Sequence, residues 1–97
     1  MDVYQLIGDV PEYHEFLTVQ ELSASSRDLA RRYPKLVTLQ TIGTSTEGRP
    51  IEMLTIGSGP NRALLLGTPH PNEPIGTLTL EFFTRRLCED DDLRDEL

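Results

Sequence analysis

Apolar positions recur along this chain with two different periods, and the change of period divides it into elements. Thr18-Val19-Gln20-Glu21 has the form of a capping box: a threonine oxygen for the backbone N–H of Glu21, and a glutamate reaching back to the threonine. Leu17 and Leu22 flank it as a hydrophobic staple. A helix follows through ELSASSRDLARRY, with Leu22, Leu29 and Tyr33 on one stripe and Arg27, Arg31 and Arg32 exposed. Pro34 disfavours helix at Tyr33 and ends it. Residues 36–43, LVTLQTIG, and 50–57, PIEMLTIG, read as two strands joined by a turn at Glu47-Gly48, an antiparallel hairpin. Ser58-Gly59-Pro60-Asn61 is a further turn. Arg62 to Gly67 is a short, continuously apolar strand of the kind buried on both faces. In IGTLTLEFFTRRLCED, Ile75, Leu78 and Phe82 form one helical stripe and Leu80, Phe83 and Leu87 a second, so the last helix is expected to be largely covered. Pro74 suits its first turn. Residues 1–17 have only scattered apolar anchors, among them Tyr4, Ile7, Tyr13 and Phe16, and read as an irregular arm.

Composition narrows the class. The chain has 97 residues, 37% hydrophobic and 26% charged, which fits one small globular domain. No apolar run approaches a membrane span. The first residues carry acids where a signal peptide needs positive charge, which points to a cytoplasmic protein. Net charge is −7, concentrated in EDDDLRDEL at residues 89–97, a solvated helix end or linker. The basic footprint of a nucleic-acid binder is missing. A single cysteine, Cys88, excludes an internal disulfide and a cysteine-rich metal knuckle, and reads as a small helix residue.

The chemistry concentrates at residues 67–76, GTPHPNEPIG. His70 and Glu73 lie three apart on a turn between the apolar strand and the last helix. Thr68, His70 and Glu73 each precede a proline, which restricts their backbones and reduces the entropy lost in ordering the turn. In an open α/β sheet ligands bind at the carboxyl ends of strands. A tight turn brings an imidazole nitrogen and a carboxylate within about 2 Å of one metal ion. A cap glutamate beside a hydrogen-bonded histidine accounts for the same residues, and so does a small α/β domain with no site. His14, between Tyr13 and Glu15, reads as a solvated histidine.

The stretch YPKLVTLQTIGTSTEGRPIEMLTIG, followed by ALLLGTPHPNEPIGTLTLEFF, resembles the N-terminal part of the M14 zinc carboxypeptidases. The features that carry the resemblance are a Tyr-Pro helix stop, an EGRPI hairpin at Glu47 to Ile51, and an apolar strand leading to H-x-x-E at His70 and Glu73. Pro71 departs from the Gly or Ala that family members often carry after the histidine. The resemblance implies an α/β/α mixed-sheet fold, with residues 1–17 as an arm and 18–97 as a truncated part of the catalytic domain. It implies His70 and Glu73 as two ligands of one zinc ion, whose bound water attacks the C-terminal peptide bond of a peptide substrate. The family's second histidine, its general-base glutamate and its carboxylate-binding arginine match no position here. The piece alone is therefore expected to be inactive, to bind zinc weakly and to self-associate through unpaired strand edges. Deacylases of the succinylglutamate desuccinylase and aspartoacylase type, acting on small acyl-amino acids, carry H-x-x-E as well but resemble this sequence less. A non-catalytic module on the same fold is the other alternative.

Overall fold

The structure, a computed structural model, describes residues 2–97; residue 1 of the expected arm lies outside the described residues. The capping box forms as the sequence predicts. Thr18 Oγ1 accepts from the Glu21 N–H and the Glu21 carboxylate accepts from the Thr18 N–H, both at 3.1 Å. They start helix α2 (Val19–Arg32), which ends at Tyr33 ahead of Pro34.

Strands β1 (Val37–Thr44) and β2 (Pro50–Ile56) pair antiparallel with Val37 opposite Ile56 and Leu39 opposite Leu54. Both pairs lie on one face, because side chains alternate along a strand. The register shifts between Thr41 and Gly43, which leaves Ile42 as an exposed bulge residue. The connecting turn holds Gly48 at φ 82°, a left-handed conformation that glycine adopts without a Cβ penalty.

Helix α3 (Ile75–Glu89) follows the His70–Glu73 turn, and α4 (Asp91–Glu96) follows it at once. Pro74 stands at the N-cap of α3 and not inside its first turn, one position earlier than predicted. Helix α2 packs on β1 and α3, and α3 packs on β2 and α4. The core is small: Leu29, Val37 and Cys88 are buried together, with Ala30, Tyr33, Leu36, Leu54 and Ile56 packed around them. Leu78 and Leu93 are also buried. The rest of α3's broad apolar arc is half-buried, and Ile75 is exposed, so the helix is less covered than expected.

Two further expectations are corrected. Residues 62–67 are not in a strand: the sheet of the described residues has two strands, β1 and β2. Leu64, Leu65 and Leu66 are 77%, 50% and 82% exposed. An apolar run becomes a buried strand only where neighbours pair with it on its edges and cover its faces, and no described element does either. The arm is not wholly irregular. Asp2 accepts from the N–H groups of Tyr4 and Gln5 and starts helix α1 (Val3–Gly8), too short to show a period. The acidic tail takes the helical one of its two expected readings: Asp90 caps it by accepting from the Leu93 N–H at 3.0 Å, and Asp91 and Asp92 occupy the first turn, where negative charge suits the helix dipole. The overall arrangement is an α/β mixture with its helices against a hairpin, consistent with the N-terminal part of the expected fold.

Candidate metal centre

The turn from His70 to Glu73 is closed by its own backbone. The Glu73 N–H donates to the His70 carbonyl at 3.1 Å, with Pro71 and Asn72 as the central residues. Proline's fixed φ favours the first central position of such a turn. The first and last residues of a four-residue turn face one another, and this is what the H-x-x-E spacing accomplishes here. His70 Nδ1 lies 4.0 Å from Glu73 Oε1, and the two side chains are 71% and 69% exposed.

The turn is held to α3 by a contact that the sequence reading did not find. Thr68 Oγ1 lies 2.8 Å from Thr77 Oγ1 and accepts from the Thr77 N–H at 3.0 Å. That N–H is shared with the Pro74 carbonyl, 3.1 Å away. Pro74 offers no side-chain cap, so a threonine from across the loop serves the start of α3. The close approach needs two glycines. A Cβ on Gly67 would stand 2.7 Å from the Gly76 carbonyl oxygen, and one on Gly76 would stand 2.5 Å from the Thr68 nitrogen. Thr68 itself has φ 53°. This departs from the extended backbone that the following proline favours, and for a β-branched residue it is a strained position, of order 1–3 kcal/mol. The available sequence signal was the repeated Gly-Thr dipeptide, 67–68 and 76–77, bracketing the histidine and the glutamate.

An imidazole nitrogen and a carboxylate oxygen are donor types that zinc takes. At 4.0 Å on one exposed turn, and with neither side chain buried in a competing network, His70 and Glu73 fit two positions of a zinc coordination sphere. They do not complete one. Among the described residues no group of three His, Cys, Asp or Glu side chains is gathered to hold a metal ion. His14 is exposed on the N-terminal segment and belongs to no such group.

Elsewhere the charged groups are structural. Glu81 accepts from Tyr13, Ser25 and Arg85. Burial, then the Glu81 charge, raises the Tyr13 phenol above its ordinary value. Burial likewise pushes the Cys88 thiol up, as suits a core residue and not a nucleophile. The guanidinium groups of Arg31 and Arg32 hold the exposed Asp28 carboxyl below its usual range.

Comparison with known proteins gives the family. The family model of the zinc carboxypeptidases, peptidase M14, matches residues 22–96. Carboxypeptidase E of Caenorhabditis elegans is 31% identical over 87 residues, a match covering 82% of this chain and 18% of that protein. The chain thus spans less than a fifth of the length of this relative. The matched region contains most of α2 and all of the hairpin, the His70–Glu73 turn and α3, and the chain belongs to the zinc carboxypeptidase family, peptidase M14.

Proposed function

We propose that this chain is part of a zinc-dependent metallocarboxypeptidase, which removes C-terminal residues from peptides, and that His70 and Glu73 are two of its metal ligands. The observation that carries the reading is the 4.0 Å approach of the imidazole and the carboxylate on the turn before α3, in a chain of this family. When bound, zinc supplies Lewis acidity to a scissile carbonyl and lowers the pKa of water. What this chain contributes is the placement of two donors, an imidazole nitrogen and a carboxylate oxygen, on a backbone closed by its own hydrogen bond. The name of the C. elegans relative favours the peptidase reading over the deacylase one.

Two ligands leave most of the coordination sphere to water, and affinity falls accordingly. The 97-residue chain alone therefore binds zinc weakly and does not turn over substrate. Leu64 to Leu66 and the free hairpin edges promote self-association in isolation. The test is to titrate the chain with zinc, assay it on a peptide with a free C-terminus, and repeat the titration on His70→Ala and Glu73→Gln. Weak binding lost in both variants, without turnover, is the expected result. Tight stoichiometric zinc with turnover would overturn the claim of an incomplete site. Unchanged binding in both variants would overturn the ligand assignment.

A further inference from the structure

We infer that Thr68 is a positioning residue for the His70–Glu73 pair, acting through a clasp with Thr77 that closes the loop on which both side chains are carried. The inference rests on the reading of His70 and Glu73 as zinc ligands, but its geometry stands independently of any metal. The loop leaves at Thr68 and returns at Thr77, and the two hydroxyls meet at 2.8 Å. The Thr68 hydroxyl also takes the N–H of Thr77, the third residue of α3. Behind the clasp, Gly67 and Gly76 are in backbone contact, with no room for a Cβ on either. The loop is thus pinned at both ends to the first turn of a helix that packs on the hairpin.

The backbone at Thr68 is the second observation. A threonine followed by a proline has two reasons to be extended, and it is at φ 53° instead. Such a conformation persists only where its surroundings over-determine it, and residues of this kind cluster where a side chain must be aimed. Here the clasp does the determining. Thr68 turned to the left-handed region directs its Oγ1 to Thr77, and the same turn sets the path of Pro69 into His70. Without the hydroxyl bonds the local preference returns and the loop loses its fixed start. His70 and Glu73 are both more than two-thirds exposed, so packing does not hold them. The loop backbone is what keeps an imidazole and a carboxylate facing each other.

Thr68→Val keeps the branched shape and removes the hydroxyl; Thr68→Ser keeps the hydroxyl. Zinc binding to the full chain is followed by NMR of the His70 ring nitrogens for the wild type, both variants and His70→Ala. Amide hydrogen exchange at Glu73 and Thr77 is measured without metal. The expected result is zinc binding about tenfold weaker in Thr68→Val, the scale of loss for groups that orient metal ligands, and restored in Thr68→Ser. Exchange at both amides should be faster in Thr68→Val alone, while amides of β1 and β2 are unchanged. If Thr68→Val binds zinc as the wild type does while His70→Ala does not, the positioning role is overturned. If His70→Ala binds zinc unchanged, the ligand reading fails and exchange decides the clasp: faster exchange at Glu73 and Thr77 in Thr68→Val supports it, and unchanged exchange overturns it.

Discussion

The phenolic hydroxyl of Tyr13 donates to the Glu81 carboxylate at 3.1 Å, joining the N-terminal segment to the middle of α3 across 68 positions of the chain. Glu81 is 13% exposed and also accepts from Ser25 on α2 and from Arg85 one turn along α3. One carboxylate thereby ties three parts of the molecule. Tyr13→Phe removes one of its partners and leaves the Arg85 pair intact. The expected loss is about 0.5–1.5 kcal/mol, the net value of one such bond, measured by urea unfolding. A variant as stable as the wild type would show that the segment is held by its apolar contacts alone.

The same contact has a pH signature. Burial and the Glu81 charge raise the Tyr13 phenol above its ordinary value near 10. A group raised on folding contributes stability that is present below the unfolded pKa and lost as pH rises through the folded one. Wild type should therefore lose stability more steeply than Tyr13→Phe above about pH 10 and run parallel to it at neutral pH. Unfolding curves taken between neutral and strongly alkaline pH check this. Parallel curves throughout would show that folding does not raise the Tyr13 phenol.

Local signals were legible in the sequence, and signals that depend on distant partners were not. The Thr18–Glu21 capping box, the Pro34 stop and the hairpin each rest on residues a few positions apart, and each forms within a residue or so of its prediction. The H-x-x-E spacing also belongs to this class, because a single turn brings its ends together. Leu64 to Leu66 failed for the opposite reason. A run of leucines is a statement about burial, and burial requires neighbours that no described residue supplies. Thr68 shows the third case: two local rules agree on an extended backbone, and contacts with Gly76 and Thr77 override both.

Cys88 should behave as a core residue. It is 4% exposed beside Leu29 and Val37, and burial raises its thiol pKa. The thiolate is the reactive form, so both accessibility and ionisation oppose reaction. A disulfide reagent at neutral pH is expected to modify native protein slowly and unfolded protein at once. Fast, complete modification of the native chain would contradict the burial.

Removing the core anchor is expected to unfold the chain's weakest reserve. Leu29 is 2% exposed and is the residue around which α2 meets β1 and α3. Leu29→Ala should cost about 2–5 kcal/mol, a loss of transfer free energy plus a cavity. With so few buried residues to share the load, that is a large part of the total stability of a small domain. Calorimetry should show a much lowered or absent transition, whereas Thr18→Ala, which removes only the cap of α2, should lower stability by about 1 kcal/mol and leave the transition cooperative.

Gly76 and Gly8 make a matched pair for the loop contact. Both are small residues near a helix end, but a Cβ on Gly8 would meet nothing within 4 Å, while one on Gly76 would meet the Thr68 nitrogen at 2.5 Å and the Gly67 Cα at 3.0 Å. Those neighbours are backbone, which cannot swing aside as a flexible side chain can. Gly76→Ala must therefore push the loop off the first turn of α3, at a cost of about 1–3 kcal/mol. It should also break the Thr68–Thr77 hydroxyl contact and separate His70 from Glu73. Gly8→Ala should be neutral or slightly stabilising, since alanine loses less backbone entropy than glycine on entering a helix. Both helix propensity and loss of flexibility favour alanine over glycine at either position, so only the steric contact distinguishes them. A destabilised Gly76→Ala beside an unharmed Gly8→Ala would establish that the loop and α3 are in backbone contact, and equal stabilities would show that the loop stands clear of the helix.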